Sequence, residues 1–531
     1  MSGKRVIGSF GFFMVCMFLV LMRVYQVSAG PTLAQTADSQ STYLLEVTKT
    51  RGTIYDCNLI PLTGREKKAV AAVSPTKEAA AALTLKLPQE SMTTVYQILT
   101  GGTPFLLTLP DDEISAEGID VFWIDQRYSD DQIAANVIGY LDGSGKGVSR
   151  IEKAYDEELS EDPGEITVSY KVDAVKRVLP GEERKISDSS VKKNKGVVLT
   201  LDGSIQAKAE ELAEKYLGKG AVVVTEVPDG QIRAMVSTPS YNPNDVGSAL
   251  TQEDSPLLNR ALAGYNMGSV FKLVSAAAAL EFGISPELEF ECVGGIEVSG
   301  DMFHCFDGIG HGVVDMADAV AKSCNTYFIH LMQQVPQSKF LEMAEKLGFG
   351  TSTELAPGLF SSAGMLPSEK SLEIPKALAN FSFGQGDLLV TPLQTAGMIN
   401  AIAAGGMYVE PYLVEGLVDE DLIYTEHYSR DSGVRVFSEQ TAELLCQFMA
   451  SCVENGTGQK GKPESGLAGA KTGTAQTGIQ EDGREIERSW YAGFYPLENP
   501  KYVIVVLAED NEQGNCAPVF QELCDWMAIQ W

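Results

Sequence analysis

The chain has 531 residues, 44% of them hydrophobic and 21% charged, with a formal net charge of −30. That length exceeds what one hydrophobic core organises, so two or three domains are expected. The acidic balance argues against a nucleic-acid partner, which needs a basic surface to displace counterions, and the four histidines form no HExxH pair. No GxGxxG or GxxxxGKS/T loop is present either, which leaves zincin, Rossmann and P-loop chemistry without support.

Lys4 and Arg5 precede an uncharged apolar run from Val6 to Met22. With its flanks it is long enough to cross about 30 Å of hydrocarbon, and the basic residues place its N-terminus in the cytoplasm. The rival reading is a signal peptide cleaved near Val27-Ser28-Ala29. The run is longer than a usual signal-peptide core, so the expectation is a cytoplasmic tail (1–5), an uncleaved single-pass anchor (6–27) and the rest of the chain outside the cytoplasm.

A polar link from Pro31 to Ser41 leads into LLEVTKTRGTIYDCNLIPL, where Leu45, Val47 and Ile54 suggest extended structure and Asp56 to Asn58 a turn. From there to about Lys195, short strand-like runs alternate with charged and Gly/Pro loops, and no catalytic residue types gather. A mainly β, non-catalytic domain over 41–195 is expected. The texture changes at Lys195: GVVLTLDGSIQAKAEELAEKYLG pairs a strand with a helix that Asp202 can cap. AVVVTEVPDGQIRAMVS then reads as a hairpin turning at Pro228-Asp229-Gly230. Near the C-terminus Trp490 to Tyr495 and Tyr502 to Leu507 flank a turn at Glu498-Asn499-Pro500, and a final helix starts at about Pro518. Strands at both ends with helices between them predict one α+β domain over 196–531, its sheet closed by the two extremes of that segment.

Nine scattered cysteines, one of them (Cys16) inside the apolar run, do not make a disulfide framework. Cys292 and Cys305 are the pair spaced for a loop staple. His311 and Asp307 lie nearby, but the spacing fits no standard zinc motif, so a disulfide or free thiols is preferred to a metal. No metal and no cofactor is expected.

YNMGSVFKLV followed by SAAAALEFG predicts a helix from Ser269 to about Phe282, with Gly283 as its stop. Its Ala-rich, nearly uncharged sequence implies burial on almost every side. Ser269 and Lys272, three apart, share a face. A buried lysine has a lowered pKa and can accept a proton as the neutral amine, which is what a serine hydroxyl needs to become a nucleophile. A capping serine followed by a lysine that reaches out to water is the bland alternative, and S-x-x-K by itself favours it. Two further elements change the balance. Ser323-Cys324-Asn325 offers a hydroxyl and an amide before a helix, and Lys471-Thr472-Gly473-Thr474 offers a cation and hydroxyls on a strand whose glycine admits another backbone. S-x-x-K, S-x-N and K-T-G in that order, widely separated, form a specific set.

On these motifs the chain resembles the class B penicillin-binding proteins, membrane-anchored peptidoglycan D,D-transpeptidases, over nearly its whole length. RGTIYD resembles their RGxIYDRNG segment, with Cys57 where an arginine is usual, and NVIGYLDGSGKGVSRIEKAYDEEL resembles their G-E-x-G-I/L-E segment, blurred at Val148-Ser149-Arg150. VVLTLDGSIQ, STPSYNPND, LLNRAL, HGVVDMADAVAKSCNTYF, FGQGDLLVTPLQ and ENGTG follow in family order. Asn266-Met267-Gly268 departs from the usual Pro-Gly before the serine, which puts the local turn in question.

The resemblance implies a penicillin-binding transpeptidase domain of the serine β-lactamase-like α+β type, with a central antiparallel sheet and flanking helices, behind a β-rich pedestal related to dimerisation domains. It implies that Ser269 attacks the carbonyl between two D-alanines, with Lys272 as base, Ser323 relaying a proton to the leaving D-alanine and Asn325 holding the substrate amide. Lys471 and Thr472 would bind the terminal carboxylate or assist proton transfer. The N–H groups of Ser269 and Thr474 would form the oxyanion hole, and the substrate would add as a strand beside Lys471-Thr472-Gly473-Thr474. Implied partners are peptidoglycan stem peptides, β-lactam antibiotics and a polytopic membrane glycosyltransferase. D,D-carboxypeptidase activity, or a non-catalytic sensor or scaffold role, are the alternatives. No E-x-x-L-N follows Ser323 to support a β-lactamase, and only five residues before the apolar run leave no room for a sensor's output domain there. Gly384-Gln385-Gly386 is expected to be a turn near the cleft, Trp490, Tyr491, Phe494 and Tyr495 core residues, and Asp482-Gly483 a hairpin turn.

Overall fold

The computed structural model describes residues 3–29, 41–110, 114–161, 163–190, 195–306, 308–428, 432–481 and 483–530. The polar link from Pro31 to Gln40, Asp307 and Asp482 lie outside the described residues.

The chain forms two compact units, one of residues 1–51, 66–127 and 162–193, the other of residues 52–65, 128–161 and 194–531. In the first, a helix Gly3–Ala29 carries a stretch, Gly3–Ser28, of mean hydropathy 2.1 with none of its apolar surface buried. Its length and composition suffice to cross a membrane. This unit also holds two three-stranded sheets. One orders Thr42–Lys49, Glu165–Lys171 and Lys185–Asp188; the other places Glu66–Val73 between Phe105–Leu109 and Ile119–Gln126. The strand Glu66–Val73 is buried on both sides: Val70 and Ala72 join a cluster with Val168 and Tyr170, while Ala69, Ala71 and Val73 join one with Ala79 and Leu83 of the helix Lys77–Lys86. Period-two alternation sends successive side chains to opposite cores.

The second unit contains the predicted α+β architecture. Its five-stranded antiparallel sheet runs Ile232–Thr238, Gly220–Glu226, Tyr502–Ala508, Arg484–Tyr495, Gly469–Glu481. The first hairpin pairs with the last strand, Gly220 opposite Ala508 and Glu226 opposite Tyr502, so the two ends of the segment do close the sheet. Both faces are covered. Val222, Val224, Ile504 and Val506 pack with Leu212 and Phe520 of the helices Gly203–Tyr216 and Cys516–Ile529. Ala221, Val223, Val503 and Val505 pack with Ala276 and Ile399 of the helices Lys272–Glu281 and Pro392–Ala403. Burying each such valine is worth about 1.5–3 kcal/mol, which is why these strands read as unbroken β-branched runs.

Asp202 caps Gly203–Tyr216 as expected, accepting from the N–H groups of Ser204 and Ile205 at 2.9 and 3.1 Å. All of RGTIYD but Arg51 lies in this unit, and Ile54–Tyr55 pairs in parallel with Gly196–Leu199. Asp56 is buried, accepting from the N–H groups of Asn58 and Ile60 through Oδ1 and from that of Gly203 through Oδ2.

Candidate active site

Ser269 sits in a single 3-10 turn, Gly268–Phe271, that runs into the α-helix Lys272–Glu281, and Gly283 follows at φ +94°. The helix is buried from Lys272 through Ala279. Gly268 has φ +60°, and a Cβ there would stand 2.4 Å from the carbonyl oxygen of Thr474, so both backbone conformation and space demand glycine. Met267, which stands where the usual proline does, is fully buried, and the residue before it is well anchored. Asn266 accepts from Trp490 Nε1 through its carbonyl and from Arg488 Nη1 through its side chain, each at 2.9 Å. The 384–386 turn braces the other side, Gly384 O accepting from Gly268 N at 2.9 Å.

Three elements converge on Lys272, which is fully buried. Its Nζ lies 3.0 Å from Ser269 Oγ, 3.1 Å from Ser323 Oγ, 2.7 Å from Ser323 O and 2.6 Å from Asn325 Oδ1. Ser323 adopts φ +58° just ahead of the helix Asn325–Met332, which turns both its hydroxyl and its carbonyl toward the amine. Asn325 Nδ2 donates to His304 O at 2.9 Å, which fixes Oδ1 toward Lys272. From the sheet edge, the fully buried Lys471 brings Nζ to 3.1 Å from Ser323 Oγ and 2.8 Å from Thr472 O. Burial, and then the neighbouring Lys471 charge, hold Lys272 well below the usual lysine range, and burial lowers Lys471 as well.

The hydrogen count agrees with a neutral Lys272. A neutral amine has two N–H groups and one lone pair. The two shortest contacts, to Ser323 O and Asn325 Oδ1, are to atoms that only accept, so they take both N–H groups. That leaves one lone pair, with the hydroxyls of Ser269 and Ser323, at 3.0 and 3.1 Å, both in reach of it. The four side chains form one continuous chain of close polar contacts, Ser269–Lys272–Ser323–Lys471.

Ser269, Ser323, Asn325 and Thr472 line an open cleft of about 1070 Å³, with Lys272 and Lys471 buried behind them. Lys471-Thr472-Gly473-Thr474 lies on the sheet's outer strand, Gly469–Glu481, whose one strand neighbour among the described residues is Arg484–Tyr495. A Cβ on Gly473 would meet Met267 O at 2.8 Å, the close backbone approach that its glycine suggested. Every residue singled out from the motifs is therefore in or beside this cleft. Gln385 and Gly386 border it, and Trp490, Tyr491, Phe494 and Tyr495 are buried in the core, as expected. The sequence reading gave no role to Thr457, whose hydroxyl is 2.6 Å from that of Thr472, or to His304 and Lys460 on the cleft wall. Thr457 stands in ENGTG, which was noted only as a family segment.

The penicillin binding protein transpeptidase domain model matches residues 220–525. The chain belongs to the penicillin-binding protein transpeptidase family. It is 31% identical over 445 residues to penicillin-binding protein PbpB of Mycobacterium tuberculosis, covering 78% of this chain and 63% of that protein. To the peptidoglycan D,D-transpeptidase FtsI homolog of Mesostigma viride it is 27% identical over 548 residues, covering 93% and 89%. Penicillin-binding protein 3 of M. tuberculosis, solved in complex with aztreonam, superposes with a TM-score of 0.67 at 25% identity, covering 92% of this chain and 97% of that one. The fold is thus the α+β transpeptidase fold with an N-terminal pedestal region and one N-terminal apolar helix. The chain spans 60–64% of the length of the first curated relatives it matches.

Proposed function

We propose that this chain is a serine D,D-transpeptidase that cross-links peptidoglycan stem peptides and is a target of β-lactams. The observation that carries the reading is the hydrogen-bonded chain from Ser269 through the buried Lys272 and Ser323 to Lys471. Ser269 Oγ attacks the carbonyl between the two D-alanines while its proton passes to Lys272 Nζ. As the C–N bond breaks, the proton moves through Ser323 Oγ to the departing amine. The reverse path deprotonates an incoming acceptor amine, by microscopic reversibility. Asn325 orients the substrate amide, and Lys471, Thr472 and Thr474 bind the terminal carboxylate and peptide backbone. The unpaired side of Gly469–Glu481 offers the N–H and C=O groups that an extended peptide needs in order to add as a strand. The N–H groups of Ser269 and Thr474 form the oxyanion hole in this scheme.

The apolar helix Gly3–Ala29 serves as a single-pass anchor with Lys4 and Arg5 on the cytoplasmic side, so the site works outside the cytoplasm. The first unit is a non-catalytic pedestal, and a polytopic membrane glycosyltransferase supplies the glycan strands. Incubation with a labelled penicillin and mapping of the modified peptide tests the assignment. Label on Ser269 that is lost in Ser269→Ala, together with stem-peptide turnover that rises when an acceptor amine is added, is the expected result. Rapid release of hydrolysed penicillin with no response to the amine would instead support a hydrolase.

A further inference from the structure

Cys324, the middle residue of Ser323-Cys324-Asn325, turns a buried thiol toward two others. Its Sγ is 3.9 Å from Cys305 Sγ, which is 3.7 Å from Cys292 Sγ, which is 3.4 Å from His311 Nδ1. All four donor atoms lie within 4.8 Å of one another, and the three cysteines are buried. The 3.7 Å separation of Cys292 and Cys305 is a thiol contact, not the ~2.05 Å of a disulfide bond. A tetrahedral zinc with Zn–S about 2.3 Å and Zn–N about 2.0 Å has S···S edges of about 3.8 Å and S···N edges of about 3.5 Å. The three observed contacts lie close to those values.

The backbone around the cluster is built to hold it. Cys292 closes a short strand pair, Phe290–Cys292 with Gly312–Val314, which sets His311 beside it. Cys305 follows the ribbon Gly295–Val298/Asp301–His304 and donates its N–H to Gly294 O at 3.0 Å. Thr326, fully buried, donates its hydroxyl to Cys292 Sγ at 3.2 Å, the kind of outer contact that orients a thiolate ligand.

We propose that Cys292, Cys305, Cys324 and His311 bind a structural zinc ion in a closed Cys3His site that clamps the Ser323-Cys324-Asn325 turn to the 292–311 loop. Three sulfurs and one imidazole suit zinc, which takes such donors in tetrahedral sites and has no redox chemistry of its own. Binding converts three thiols to thiolates and releases their protons to solvent. It also keeps these cysteines from pairing as a disulfide, which the same sulfurs could form only by losing the metal. The spacing, C-x12-C-x5-H-x12-C, is unlike the close Cys pairs of common zinc motifs, and its last ligand is hidden inside a catalytic motif. The clamp reaches the cleft through two bonds: Asn325 holds His304 O, one residue before Cys305, and Ser323 directly precedes Cys324.

Metal analysis of the full-length protein, purified without chelator in zinc-supplemented medium, tests this without relying on activity. About one zinc per chain is expected, falling to background in Cys292→Ser and in His311→Ala. In case those variants fail to fold, wild-type protein stripped of metal and given Co2+ should show thiolate-to-cobalt charge transfer and tetrahedral ligand-field bands. Alkylation of Cys305 and Cys324 should begin only after chelation. Chelation should also lower Tm and slow Ser269 acylation by about tenfold or more, with Zn2+ alone restoring both. Zinc-free protein, zinc content indifferent to the ligand variants, or a Cys292–Cys305 disulfide in the purified chain would each overturn the proposal.

Discussion

Two buried lysines share one hydroxyl in this cleft, and their charges are coupled through it. The rate of Ser269 acylation by a labelled penicillin should rise with pH as Lys272 loses its proton, then level off. Because the Lys471 charge is the second cause, after burial, of the lowered Lys272 pKa, Lys471→Met should move the rising limb to higher pH. A limb that stays in place would show that the two amines do not interact. Lys272→Arg should lose acylation by about a hundredfold or more at any pH, since a guanidinium stays protonated and cannot act as the base.

Glu210 gives the opposite sign in a stability measurement. Burial raises its carboxyl from 4.5 to about 7, against hydrogen bonds from Gln206 and the Ala134 N–H that favour the ion. Between those two values the folded chain holds a proton that the unfolded chain has released, so stability falls as pH rises through the window. Glu210→Gln keeps the carbonyl acceptor and should flatten that slope in denaturant titrations from pH 4.5 to 7.

At the scale of elements, the serine turn depends on one glycine. Gly268→Ala forces a side chain into φ +60° and to within 2.4 Å of Thr474 O, so either the serine turn or the outer strand must shift. A displacement of that order should cost acylation about a hundredfold while the far-UV spectrum is retained. Asp202→Ala, which removes the cap of Gly203–Tyr216, should cost about 1 kcal/mol in chemical denaturation without altering the pH profile of acylation.

The serine helix, the hairpin and the capped helix were legible in the sequence because each rests on local signals: Ala-rich apolarity, Pro-Asp-Gly at the turn, an aspartate ahead of the first turn. The 3-10 geometry at Ser269 was not, because it is set by contacts with residues 384 and 474, far away in sequence. The same holds for the Asn266-Met267 step before the serine, where Asn266 is held by Arg488 and Trp490. Cys324 was quoted in a motif, yet its proximity to Cys305 and His311 follows only from the fold.

At the scale of the whole molecule, the unit that carries the site is assembled from three separate segments of chain. RGTIYD could be matched to a family segment, but its parallel pairing with Gly196–Leu199 has no local signature, since such pairing spans a long stretch of intervening sequence. The anchor proposal belongs at this scale too. The protein should fractionate with membranes and resist extraction by high salt, and deletion of residues 1–29 should release it; a mature chain beginning near Gly30 would show cleavage instead.

The pairing of Gly220–Glu226 with Tyr502–Ala508 also sets an order of events during synthesis. The strand that covers the edge of this hairpin follows it only after residues 239–501 have been made. Until then an unbroken apolar edge has no lawful neighbour, and closing so long a loop is slow compared with forming a hairpin. The second unit therefore cannot fold piece by piece as it emerges; it waits on Tyr502–Ala508, and a chain ending before Tyr502 should yield no protease-resistant fragment from the second unit. For as long as translation and export take to deliver that strand, the nascent protein is exposed to proteases and to pairing with other copies of itself.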